Sequence, residues 1–121
     1  MKIEFCIDSV DGAIAAKKFG ANRVELCSAL NVGGLTPSFG LIKQCAKQGV
    51  EVHVMIRHVE GGFNYSKEDI LIMLQDIKMV KDAGASGVVF GCLNNLNEIN
   101  IKQNKVLIEL AKALNLETTF H

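Results

Sequence analysis

Three short segments of this chain alternate apolar side chains with side chains that ionise, hydrogen-bond or hold metal: Glu4-Phe5-Cys6, Glu25-Leu26-Cys27 and His53-Val54-Met55-Ile56-Arg57. Side chains on a β-strand change face at every residue. Glu4 and Cys6 therefore share one face, and Ile3, Phe5 and Ile7 take the other. Glu25 and Cys27 oppose Val24 and Leu26, while His53, Met55 and Arg57 oppose Val52, Val54 and Ile56. A strand covered by helices on both faces reads as a near-continuous apolar run. These strands do not, so one face of the sheet meets something other than hydrocarbon. Function is expected on that face.

Strand-like stretches fall near residues 2–8, 23–28, 50–57, 87–92 and 116–120. Between them the period is helical, over 13–19, 41–47, 67–83 and 105–114. In the third of these, Ile70, Met73, Leu74, Ile77 and Val80 recur at spacings of three and four. Ser9, Ser38 and Ser66 are N-cap candidates, and Asp69 stands three residues after Ser66, close to a capping box. Gly20, Gly49 and Gly84 each follow a helical stretch close to a lysine, as C′ residues do. Gly20-Ala21-Asn22-Arg23-Val24 is echoed by Gly84-Ala85-Ser86-Gly87-Val88, each a helix stop, a short loop and a strand start.

Alternating strands and helices with short loops suit an open doubly wound sheet or a (β/α)8 barrel. The polar alternation selects the barrel, whose inner face can be polar near its mouth while its outer face packs on helices. Five strands cannot close an eight-stranded barrel. The expected fold is α/β: the N-terminal part, about five strands and four helices, of a TIM-type (β/α)8 barrel. Residues 1–121 read as a single, incomplete domain of something longer. On its own, a chain of this length needs a partner over the open edges of its first and last strands, a homo-oligomer being one option.

The chain has 121 residues, a formal net charge of zero and 4 cysteines. No Lys/Arg stripe argues for nucleic acid. No apolar run approaches the roughly 18 residues of a membrane span. The N-terminus enters a strand pattern at once, which leaves no room for a signal peptide. The expected location is cytoplasmic, with reduced thiols. Cys6, Cys27, Cys45 and Cys92 form no Cys-x-x-Cys pair, so neither a zinc ribbon nor a thioredoxin-type motif is expected.

Several motifs, in order, resemble the CutC family, named for copper homeostasis. They are Glu4-Phe5-Cys6-Ile7-Asp8-Ser9, the run from Gly20 to Cys27, Gly33-Gly34-Leu35-Thr36-Pro37-Ser38, Val54-Met55-Ile56-Arg57 and Thr118-Thr119-Phe120-His121. The resemblance covers the whole chain and implies a TIM-type barrel of which this chain is a little over half. It departs after Arg57. Where the family usually reads Pro-Arg-Gly-Gly-Asp-Phe-x-Tyr, this chain has His58-Val59-Glu60-Gly61-Gly62-Phe63-Asn64-Tyr65 and lacks an arginine and an aspartate.

The resemblance implies copper binding, and the matching positions are Cys6 and Cys27. Soft thiolate and thioether ligands select Cu(I), and Met55 on the third strand is a candidate third ligand. The competing role for both thiols is packing, the commonest fate of free cysteine. The alternative function is a barrel enzyme acting on a small anionic metabolite. Its catalytic candidates are Glu4, Glu25, Arg57 and His121, with His53 on the same inner face. Arg57 would hold a carboxylate or phosphate, and the turn from Gly33 to Ser38 would offer N–H groups to an anion. A Glu–Arg bridge across the barrel is the structural reading of the same residues. The partners expected are thus a metal ion or a small anionic ligand. His58 reads as a solvated loop residue, Cys45 and Cys92 as packing, and Phe63 and Tyr65 as a lid over the mouth.

Overall fold

The computed structural model describes residues 1–121. Its strands are β1 (Glu4–Ile7), β2 (Arg23–Leu26), β3 (Glu51–Met55), β4 (Gly87–Phe90) and β5 (Glu117–Phe120). Its helices are α1 (Val10–Lys18), α2 (Phe39–Ala46), α3 (Lys67–Asp82) and α4 (Ile101–Ala113), with a short 3₁₀ turn at Leu30–Val32. All strand pairs are parallel, and the strand order is β1-β2-β3-β4-β5. This order never reverses. Right-handed crossovers in one direction place every helix on the same face. The sheet is therefore singly wound, an arc of a barrel rather than a doubly wound sheet, as the polar alternation led us to expect.

The outer face carries the main core. Val24, Leu26, Val52, Val54, Ile56, Val88 and Phe90 pack there against Ala13, Ala16, Ile42, Cys45, Met73, Ile77, Val80, Leu107 and Ala111 from the helices. Phe90 is the largest of the fully buried side chains. The edge strands are less covered. Phe5 on β1 and Phe120 on β5 are exposed, and an apolar groove beside α1 is lined by Phe5, Ile7, Ala15, Ala16 and Phe19. No helix is long and apolar enough to cross a membrane.

Ser9, Ser38 and Ser66 each accept a hydrogen bond from a first-turn amide, and Ser66 with Asp69 completes a capping box. Gly20, Gly49 and Gly84 take the left-handed conformation read for them. α4 begins four residues before the stretch its periodicity marks, because Asn100 caps it and Ile101 and Val106 face solvent. His58 is not a solvated loop residue: its Nε2 lies 2.8 Å from Asp69 Oδ1 and ties the loop to the start of α3. The amide and hydroxyl of Ser66, followed by His58, hold the Asp69 carboxyl below its ordinary range. Tyr65 is no lid either, since it lies buried in the main core.

Candidate functional site

In-register parallel pairing stacks the inner-face residues in rows. The row at the N-terminal end is Glu4, Arg23 and Glu51. The next holds Cys6, Glu25, His53, Gly87 and Glu117. Above it Met55, Val89 and Thr119 register, and Cys27 joins Met55 and Val89 in a small buried apolar cluster separate from the main core. Arg57 and His121 lie beyond the strand ends, at the C-terminal mouth where barrel enzymes place their active sites.

The two cysteines come together. Cys6 Sγ and Cys27 Sγ are 3.9 Å apart. Cys6 registers with Glu25, so Cys27 sits two residues further along β2. A rise of about 3.3 Å per residue and a strand spacing of about 4.8 Å then put the two Cα atoms about 8 Å apart. That exceeds the limit of about 7 Å for a disulfide without backbone movement. It suits two ligands of one ion: at metal–sulfur bonds of about 2.3 Å, two thiolates in a tetrahedral arrangement lie about 3.8 Å apart. Cys27 is buried and Cys6 open at the sheet edge. Gly34 crosses the pair closely, and a Cβ there would lie 3.1 Å from Cys27 Sγ and 3.8 Å from the Met55 methyl. Burial, followed by the charge of neighbouring groups including Glu25, pushes the Cys27 thiol pKa far up. Cys6 is raised as well, chiefly by burial. Both thiols are protonated at neutral pH, so a metal must displace their protons.

Glu25 stands beside them. Burial, then the charge of Glu4, raises its carboxyl above the ordinary value of 4.5. A raised folded-state pKa means the ionised form is disfavoured in the fold. The group's contribution to stability is complete below its unfolded pKa and is lost as pH rises through the folded value. Glu25→Gln keeps the shape and removes the charge. It is expected to raise the melting temperature by a few degrees at most at pH 7, and the gain should vanish below pH 4. A thermal melt series across that range checks it, and an equal gain at every pH would sink it.

Arg57 closes the mouth. Its Nη1 donates to Val32 O at 2.8 Å and Gly34 O at 3.1 Å, and its Nη2 donates to Gly61 O at 2.8 Å. The side chain is buried, makes no ion pair, and lies 5.1 Å from the Phe63 ring. Its Nε and the Tyr65 hydroxyl are buried without hydrogen-bond partners. The Phe63 ring also meets the His121 ring edge-on at 5.3 Å. Partial desolvation beside Phe63, then the Arg57 charge, lowers the His121 pKa although the residue is largely open to solvent, which keeps this imidazole neutral at pH 7. The expected carboxylate or phosphate clamp is thus largely committed to three carbonyls of the β2–α2 and β3–α3 loops. Nε and one Nη2 hydrogen remain.

Glu4 belongs to the other end. It pairs with Arg23 Nε, and Arg23 Nη1 lies 3.9 Å from Glu117 Oε2. The bridge that forms is Glu4 with Arg23 on the neighbouring strand, not one from a glutamate across the barrel to Arg57. Glu4 and Arg57 stand at opposite ends of the sheet, since Glu51 shares Glu4's row and six residues of about 3.3 Å each separate Glu51 from Arg57, roughly 20 Å. His53 is 1% exposed, with Nε2 2.9 Å from Glu51 Oε1 and 3.5 Å from Glu117 Oε2. Sequence reasoning missed Glu51 and Glu117. Strand parity extended by two residues from His53 and from Thr119 would have found both. The remaining cysteines are packing residues as expected: Cys45 and Cys92 are fully buried, and burial pushes the Cys92 thiol up to about 11.

Comparison with known proteins agrees with the fold. The sequence model of the CutC family matches residues 1–121. A CutC family protein of Vibrio atlanticus (strain LGP32) is 47% identical over 121 residues, which cover 99% of this chain and 49% of that protein. A crystal structure from Streptococcus agalactiae, named as a candidate copper homeostasis protein CutC, superposes with a TM-score of 0.89 at 33% identity. It covers 100% of this chain and 59% of that one. The 2,3-dimethylmalate lyase of the PEP mutase/isocitrate lyase superfamily superposes with a TM-score of 0.65 at 8% identity, over 98% of this chain and 46% of its own, and shares the fold alone. The chain spans about half the length of the curated relatives it matches.

Proposed function

This chain belongs to the CutC family, and from that premise we propose that it binds copper as Cu(I) and serves copper homeostasis in the cytoplasm, where thiols stay reduced. The observation that carries this reading is the 3.9 Å approach of Cys6 Sγ to Cys27 Sγ on neighbouring strands. The pair is soft and lies too far apart along the backbone to close as a disulfide. Met55, in contact with Cys27, supplies a thioether. Binding releases thiol protons, so apparent affinity climbs with pH. The test is an anaerobic Cu(I) competition titration of the chain and of Cys6→Ser/Cys27→Ser, with circular dichroism on both. One-to-one binding weakened at least tenfold by the substitutions is expected. Binding indifferent to them would make both thiols packing residues.

A second reading rests on Arg57, a buried guanidinium without a carboxylate partner. A small anionic metabolite at the mouth would meet the Nη2 hydrogen that Arg57 leaves free beside Gly61. The neutral His121 would serve as base there, while Glu25 registers with His53, four residues and about 13 Å below Arg57, too far to act on the same ligand. Glu4, paired with Arg23 at the opposite end of the sheet, takes no part in this reading. Sugar phosphates and small carboxylates that raise the melting temperature would support this. A screen in which no anion does so would remove it.

A further inference from the structure

We propose that Glu51, His53 and Glu117 form a divalent-cation site of the zinc type at the N-terminal end of the inner face, apart from the thiol pair. One ligand atom from each of the three residues lies within 4.8 Å of the others. A metal bonded to nitrogen and oxygen at about 2.1 Å sets neighbouring ligands about 3.0 Å apart in octahedral and about 3.4 Å apart in tetrahedral geometry. The separations from His53 Nε2, 2.9 Å to Glu51 Oε1 and 3.5 Å to Glu117 Oε2, bring all three donors within reach of one ion after small side-chain adjustments, the first being a hydrogen bond that the metal would replace.

Three further features point the same way. The imidazole is 1% exposed and held in place by β4: a Cβ on Gly87 would lie 2.7 Å from three of its ring atoms. Its Nε2 is the ring nitrogen turned toward both carboxylates, so the ring addresses the pair through one atom. Charge is unbalanced. The inner positions of the five strands carry Glu4, Glu25, Glu51 and Glu117, and Arg23 is their permanent cation. Arg23 Nε goes to Glu4, and its Nη1 is 3.9 Å from Glu117. A divalent ion offsets both remaining carboxylates at His53 in one step. One histidine and two carboxylates are hard-to-borderline donors, a set for Zn²⁺, Mn²⁺ or Co²⁺ rather than Cu(I). Three protein ligands also leave coordination positions open.

The probe is Co²⁺ alone, titrated into the Cys6→Ser/Cys27→Ser chain so that the outcome is independent of the copper reading. Saturable one-to-one binding is expected, with visible ligand-field absorption, no thiolate-to-cobalt charge-transfer band, and displacement by Zn²⁺. Glu117→Gln should weaken it at least tenfold. Glu117 is the decisive variant because its side chain is 60% exposed, so the metal-free melting temperature should stay unchanged. His53→Gln should abolish binding where it folds. Absence of saturable binding, indifference to Glu117→Gln, or charge-transfer absorption placing the ion on Cys45 or Cys92 would each overturn the proposal.

Discussion

Replacing Arg57 by methionine is expected to cost about 3 kcal/mol of stability, a large share of the 5–15 kcal/mol typical of a domain. Methionine keeps most of the apolar volume, so the loss isolates the guanidinium. Three carbonyls, of Val32, Gly34 and Gly61, lose a charged donor at once. Hydrogen bonds to charged groups contribute about 1.5–3 kcal/mol each, and water at the exposed Gly61 recovers part of the sum. The backbone is tied at the same place, with Arg57 N donating to Thr36 Oγ1 and Thr36 N to Arg57 O, and this link survives the substitution. Arg57→Lys retains charge but not the fork, and is expected to restore less than half of the loss. Urea denaturation of the three proteins measures this. Hydrogen exchange should show the loosening at 32–36 and 58–63 first. A change below about 0.5 kcal/mol in Arg57→Met, the range of an ordinary surface substitution, would show that the clamp does not hold the loops.

Such a clamp is invisible in a sequence, and the reason is physical. Period-two alternation reports the face on which a side chain starts, which is why Cys6, Cys27, His53 and Arg57 were all legible as inner residues. It does not report where a long side chain ends. Every residue offers a carbonyl, so nothing marks Val32, Gly34 and Gly61 as partners of an arginine more than 20 positions away in two cases. The barrel itself was legible because four signals agree: strand alternation, helical period, serine caps and glycine stops. The 3₁₀ turn at Leu30–Val32 was not, since it depends on Ala29 in the left-handed region, an uncommon conformation for alanine. Charged residues at strand starts, Glu51 and Glu117, look like solvent-facing ends. Parity with His53 and Thr119 gives their face, and the register, which places Glu51 beside Arg23 and Glu117 beside Gly87, brings them to the same imidazole.

That register also sets the second large effect. Gly87→Val puts a branched side chain where a Cβ alone would lie 2.7 Å from Cε1, Nδ1 and Nε2 of the His53 imidazole. The ring is 1% exposed, so overpacking should cost about 1–3 kcal/mol. His53→Ala alone removes a buried ring, leaves a cavity, and strips Glu51 and Glu117 of their shared neighbour. Its cost should be about 2–4 kcal/mol. In the double variant the valine fills part of the space the ring vacates. The two losses should therefore not add, and a coupling energy of about 1–2 kcal/mol in favour of the pair is expected for residues in direct contact. Urea denaturation of the four proteins in the cycle gives this number. Additive losses would mean that β4 yields to the valine by moving away from β3, and that Gly87 does not fix the imidazole that aims at the two carboxylates.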